Sequence, residues 1–401
     1  MASIVDTTVK NFNSTMSGAP ALSGTAGSLI ALLDAVLVNG FDIKTASALT
    51  VAGGVASLPF TGSHSAQVDS VISISGITGA YASLNGEQKV TAVGAGVVKF
   101  ATTAADGAAS GVVTFKMAPL GWLKPFAGTN LAAYKSADVA ATGMLLRVDD
   151  TGTFFARVRG FESMTDISTG LGPFPTDAQM SGGGYWTKSN VASATAVPWA
   201  IHGDGRLFYF TALCGVSSGA TLLGGVTRCF GDMTALRPGG DPFACYLNWS
   251  NTATVASQID GAVGGAGNTA RFSAPRDYTG LGSAVVHCKY AYTFGANSVT
   301  SGIDGPLGAF PSVVDGSLMT SRQFVGSGIT TAPPRADFPG VYHVGQSGAW
   351  DTFKFLDTAP AAGSLAGRTF QALTTTNATF PSVSTSVSAG VLMVDRTGPW
   401  R

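Results

Sequence analysis

Charge is scarce in this sequence. Of 401 residues, 11% are Asp, Glu, Lys or Arg, and the 23 basic and 23 acidic side chains cancel; an ordinary soluble domain carries about 25%. Without a basic field there is no long-range capture of nucleic acid or anionic lipid, so neither is expected as a partner. The composition of a disordered chain is missing too, because 45% of the residues are apolar. Long hydrophobic runs are absent. The most apolar early stretch, Leu29 to Val38, is interrupted by Asp34 and is about half of the roughly twenty residues a membrane span requires, so no membrane insertion is expected. The opening Met1-Ala-Ser-Ile-Val-Asp-Thr-Thr-Val-Lys10 has no basic segment leading into an apolar one and does not read as a secretory signal. Cysteine is rare and widely spaced. Cys214, Cys229, Cys245 and Cys288 form no C-x-x-C pair; His287 beside Cys288 suggests zinc, but the spacing fits none of the usual ligand frameworks. They read as small buried hydrophobes, with no metal or cofactor implied.

What is present is glycine (53) and proline (18) among abundant Ala, Ser and Thr, the composition of folded structure with many turns. A free monomer usually keeps itself soluble with mixed surface charge. This chain has little to offer, so much of its exterior is expected to be buried against partners, copies of itself included.

Leu22–Gly40 reads as the one clear helix. Leu29, Ile30, Leu33, Val36 and Leu37 recur at helical spacing, Thr25 or Ser28 is placed to cap the start, and Asn39-Gly40 supplies a left-handed stop. From Ile43 the pattern turns to short alternating runs: Ser47–Pro59, Val68–Ile77, Gln88–Val93, Val97–Ala101 and Gly111–Met117, with Asn85-Gly86 as a tight-turn signal. Five strands in this space make a small barrel or sandwich. The expected organisation is therefore a helix-containing segment (1–44), an inserted small β-domain (45–117) and a main β body (118–401). In the body, 144–150 and 154–160 flank Thr151-Gly152 as a hairpin that carries Arg147, Arg157 and Arg159. Residues 199–204 and 206–213 form another around Gly203-Asp204-Gly205, and 170–184 is loop. Further strands are expected near 225–230, 244–249, 268–273, 285–294, 369–373 and 391–395. No repeat of fixed period is visible. The expected class is mainly β: an antiparallel sandwich or barrel-like body with one short N-terminal helix.

Motifs that could carry chemistry are thin. Gly215-Val-Ser217-Ser-Gly219 matches the hydrolase nucleophile elbow, but the run after Gly219 is too short and glycine-rich for the helix that motif needs. Asp241, His287 and His343 could be nominated as partners, though nothing singles them out. Asp149-Asp150-Thr151-Gly152 contains the Asp-Thr-Gly of aspartic proteases without the second copy that shares the proton, and reads as a turn. His202 and Asp204 in one hairpin read as turn residues or a subunit contact, His64 as structural in a loop between strands of the small β-domain, and His343, between Tyr342 and Val344 on an expected strand, as a packed histidine. Ser181-Gly-Gly-Gly184 runs into Tyr185-Trp186 with no Lys-Ser/Thr or helix, so it is not a phosphate loop. The aromatics, Phe154, Phe155, Phe208 and Phe210 among them, suit β-cores and interfaces, with a carbohydrate or nucleic-acid stacking platform as the sharper alternative. No catalytic, cofactor-binding or metal-ligating residue is nominated.

Several segments resemble virion structural proteins of tailed bacteriophages and prophages: Asn11–Pro20, Leu22–Asp34, Val38–Phe41, Leu145–Gly152, Gly172-Pro-Phe-Pro175, Tyr185–Ser189 and Thr397-Gly-Pro-Trp-Arg401. The insert is similar to a small β-module of phage tail and fibre proteins in Val71–Gly76, Leu84-Asn-Gly86 and Val90-Thr91, with Gly62-Ser-His64 where that module usually has Gly-His. The resemblance is strongest over residues 11–41 and 119–210 and brings no catalytic residues with it. It implies a non-enzymatic tail or baseplate subunit, assembled in the bacterial cytoplasm in symmetric copies with other virion proteins. A capsid decoration protein, a fibre part that binds a host receptor or surface glycan, and a serine hydrolase are the alternatives.

Overall fold

The computed structural model describes residues 3–215, 224–253, 255–256, 270–290, 308–327, 334–346, 348–379 and 388–401. With 47% of the chain in strands and 7% in helix, the protein is mainly β, as its alternation and turn density predict. Its strands make one small sheet, one large curled one and two short pairs, Ser163–Met164 with Gly170–Leu171 and Leu22–Ser23 with Ala196–Val197.

The small sheet has eight strands, all between residues 41 and 117. Its edge strand, Phe41–Thr45, pairs with Thr114–Met117, so the sheet begins before residue 45. Two expectations are corrected here. Residues 47–59 are not one strand: Gly53 and Gly54, at φ of 58° and 78°, fold Thr50–Ala52 back on Val55–Pro59, a reversal that favours glycine at both positions. Nor is Asn85-Gly86 a two-residue hairpin. A 3-10 helix, Gly79–Leu84, comes first, and the Asn85 side chain then bonds both the N–H and the C=O of Ile77. Strand Gly86–Gly94 serves both halves of the sheet: residues 86–89 pair with Val71–Ile74, and residues 90–94, with a register shift between Val90 and Ala92, pair with Val97–Phe100.

The large sheet opens with a meander of Trp122–Gly128, Leu131–Ser136, Leu145–Asp149, Phe155–Phe161 and Gly184–Thr187. A bridge from Tyr185 to Ser250 joins it to a long antiparallel ladder. In spatial order the ladder runs Lys10–Asn13, Trp199–Gly203, Leu207–Gly215, Gly224–Asp232, Cys245–Ser250, Ala270–Ala274, Ala284–Tyr290, Thr320–Ser327, Pro334–Val344, Ser388–Asp395, Thr369–Thr379 and Thr358–Pro360. A twisted sheet this wide must curl. It does so until Thr375 meets Gly225 and Asp337 meets Thr234, giving a half-barrel. The hairpin of Leu145–Asp149 and Phe155–Phe161 has Arg147 opposite Arg159, with the three arginines on one face. That face is covered by the segment expected as loop and the residues just before it: Arg157 donates to Gly183 O (2.6 Å) and Arg147 to Ile167 O (2.8 Å).

The helix is shorter than its pattern: Ser28–Leu33 is α, and Asp34–Asn39 continues as a π-turn that Gly40 ends at φ 70°. Neither Thr25 nor Ser28 caps it. The acceptor is the Asp150 carboxylate, which takes the N–H groups of Leu29 (2.7 Å) and Ile30 (3.2 Å). Leu29, Leu32, Leu33, Val36 and Leu37 are fully buried and belong to one apolar cluster containing Ile72 and Phe100 of the small sheet and Trp186 and Trp199 of the large one. Polar ties reinforce this junction: Lys10 reaches Glu87 and Pro119 O, Lys89 donates to Thr397 O, and Arg396 donates to Val68 O. A second cluster fills the curl of the ladder, around Tyr209, Phe272 and Leu392.

Candidate functional site

The residues singled out for chemistry are mostly engaged in structure. Asp149 Oδ1 accepts from the N–H (3.2 Å) and hydroxyl (2.7 Å) of Thr151, an ordinary turn. Asp150 does more than the turn reading allowed. Side-chain exposure is 0% for both Asp150 and Lys188, which form an ion pair, and Lys188 Nζ also donates to Thr25 O at 2.6 Å. Desolvation raises the Asp150 carboxyl and lowers the Lys188 amine, each against the pull of the other.

His202 is not at the surface, which removes the subunit-contact reading for it. It lies fully buried on strand Trp199–Gly203 and donates from Nε2 to Gln371 Oε1 at 2.7 Å, and burial lowers it to about 4. Asp204 is the turn residue: its Oδ1 accepts from the N–H groups of Arg206 and Leu207, and its Oδ2 from Arg401 at 2.8 Å. His64 Nδ1 accepts from Ala66 N–H while the ring packs on Phe60 and Phe115. Burial lowers both His64 and His343 to about 4. Asp241 is paired with Arg335 at 2.7 Å. Ser217 and the rest of its motif past Gly215 lie outside the described residues, as does the His287 side chain. The four cysteines are buried within the apolar clusters, where desolvation pushes Cys214 up to about 12. Phe208 and Phe210 are core, packed edge-on and face-on against Trp186. Among the described residues no three metal-ligating side chains gather, and no helix is long and apolar enough to cross a membrane.

What sequence reasoning missed is a groove of about 750 Å³ in the C-terminal third. Its floor is the pairing of Thr320–Ser327 with Pro334–Val344, and its walls are residues 315–319, the 3-10 turn Gly363–Leu365 and Trp400. The register explains its chemistry. Arg322 pairs with Tyr342, but Phe324 pairs with Asp337, so residues 338–341 bulge out and Asp337 and Tyr342 both come beside Arg322. Gly340 sits in that bulge at φ 70°, and a Cβ there would fall 2.1 Å from the Trp400 indole. The indole thus packs on bare backbone, its Nε1 donating to Asp395 O (2.9 Å) and its ring 5.7 Å from that of Tyr209. Arg322 is paired with Asp337 yet keeps its side chain 57% exposed. Asp337 is only 9% exposed overall, and its Oδ1 is buried with no hydrogen-bond partner. Contiguous sequence carries no signal for this, since the four residues come from three segments and only a bulged register joins them.

No family model matches the chain, and no curated protein matches it either.

Proposed function

We propose that the protein is a structural subunit of a tailed-phage virion, in the tail or baseplate, working by symmetric association with copies of itself and with other virion proteins. The observation that carries this reading is where the charge goes. Among the described residues, eleven of the chain's 23 acidic side chains form ion pairs with eleven of its 23 basic ones. A surface already poor in charge is left poorer. At the same time Ile43, Val112, Val139, Leu171, Leu281, Val313 and Val314 are each more than two-thirds exposed. Leu171, on the short strand Gly170–Leu171, lies near the turn that carries Leu281 and half-exposed Tyr278: Leu171 O accepts from Glu162 N–H, the Glu162 carboxylate pairs with Arg276, and the turn from Asp277 to Gly282 comes directly after. Apolar surface of this kind is covered when copies associate.

The segments that resemble phage virion proteins also support a structural role, because they are used to hold the chain together. Leu22–Asp34, Leu145–Gly152 and Tyr185–Ser189 converge on the Asp150–Lys188 pair, and Thr397–Arg401 ties the large sheet to Lys89 and Asp204. The test is quantitative mass spectrometry of purified particles from a strain carrying the gene. Several copies per particle, incorporated into tails, support the proposal; absence from particles that retain their other tail proteins refutes it.

A further inference from the structure

We propose that the groove between residues 315–322, 337–342, 362–365 and Trp400 binds a neutral oligosaccharide. The inference does not depend on the virion reading. The groove's volume falls within the about 300–1,000 Å³ typical of small-molecule sites, and its lining narrows the ligand class. An anion is disfavoured, because the single cation of the lining, Arg322, is already paired with Asp337, and Asp315 adds a second negative charge. A wholly apolar ligand is disfavoured by Ser317, Thr320, Ser321 and Ser364, whose hydroxyls would be desolvated without return.

A sugar presents what this lining can satisfy. Its hydroxyls are both donors and acceptors, and its C–H faces are apolar. Asp337 Oδ1 lacks a donor but is buried away from solvent, so what a sugar meets at this ion pair is its exposed Arg322 side. The exposed Arg322 guanidinium offers donors to ring and hydroxyl oxygens. Tyr342 and Trp400 bring aromatic rings to the same groove, with Leu318, Met319 and Leu365 as apolar wall. The rings are held in place before any ligand arrives: Tyr342 lies 5.1 Å from Phe370, and Trp400 is fixed by Gly340, Tyr209 and Asp395. Such preorganisation lowers the entropy lost on binding.

The experiment uses the full chain on a printed array of neutral and acidic oligosaccharides, followed by saturation-transfer NMR with the best neutral hit. Two variants accompany it: Arg322→Met, which removes the exposed donor, and Ser364→Arg, which fills the groove from an exposed turn. Ser364 is exposed, so Ser364→Arg should keep the parent melting temperature; Arg322→Met leaves the mostly buried Asp337 carboxylate unpaired and should lower it, so its binding is measured well below its own melting temperature. The expected result is binding to at least one neutral oligosaccharide, weakened tenfold or more by Arg322→Met and abolished by Ser364→Arg. Binding to acidic sugars only, no binding to any neutral sugar at millimolar concentration, or neutral binding unchanged by Ser364→Arg would each overturn the proposal. None of these outcomes bears on whether particles contain the chain.

Discussion

Replacing Lys188 by Met probes the joint at which the helix, the first meander and the segment before strand Trp199–Gly203 are fastened. Both members of the pair have 0% side-chain exposure, so Asp150 would keep a negative charge in the interior with only the amides of Leu29 and Ile30 to stabilise it. Removing one partner of a buried ion pair costs about 3–5 kcal/mol, mostly because the remaining charge is uncompensated. The directions of titration agree: desolvation raises Asp150 and lowers Lys188, so each charge is held only by the other and by its hydrogen bonds. The double variant Lys188→Met/Asp150→Asn separates charge from capping. The Asn oxygen can still accept from the helix amides and carries no charge, so its loss should be only about 1–2 kcal/mol, the cost of one altered hydrogen-bond set. Equilibrium urea unfolding at pH 7, followed by fluorescence of the buried Trp186 and Trp199, measures both. A single variant within about 1 kcal/mol of wild type, or a double variant as unstable as the single one, would refute the reasoning.

Acid should weaken the fold through its buried histidines. His202 and His343 titrate at about 4 in the folded chain, against 6.5 unfolded, because burial disfavours the charged ring. The unfolded state therefore binds more protons as pH falls from 6.5 toward 4, and the stability these groups give above pH 6.5 is lost across that window, about 2 kcal/mol each by pH 5. Unfolding free energies of His202→Gln and wild type at pH 7.5 and 5.0 check this, since the variant should lose about 2 kcal/mol less than wild type; equal losses would contradict it. Gly160→Ala places a Cβ 2.3 Å from the buried Phe174 ring and should cost about 1–3 kcal/mol by overpacking, read from the urea midpoint. Leu171→Glu with Leu281→Glu should leave the melting temperature unchanged while reducing self-association in sedimentation velocity, because both side chains are mostly exposed in the single chain.

How much was legible in the sequence depended on range. The hairpins around Thr151-Gly152 and Gly203-Asp204-Gly205 were readable because their turn residues and alternation lie within about fifteen residues of each other. The helix was readable from its leucines, yet its cap was misassigned: the acceptor, Asp150, lies 121 residues from Leu29, where no local rule reaches. Strand Trp122–Gly128 escaped, and of Pro334–Val344 only the end around Tyr342–Val344 was expected, for a different reason. Pro125 and Pro339 argue against a central strand, and the chain accommodates them with register shifts beside each. The second of those shifts is what brings Arg322, Asp337 and Tyr342 together, so the irregularity that hid the strand also hid the groove.

The proposed function has the exterior of this chain, low in charge and with many charges paired internally, covered by further copies. Light scattering coupled to size-exclusion chromatography tests this most directly. The expected result is a discrete species at a multiple of 40.5 kDa that persists on dilution. A single species of 40.5 kDa at every concentration, stable and soluble without partners, would contradict it.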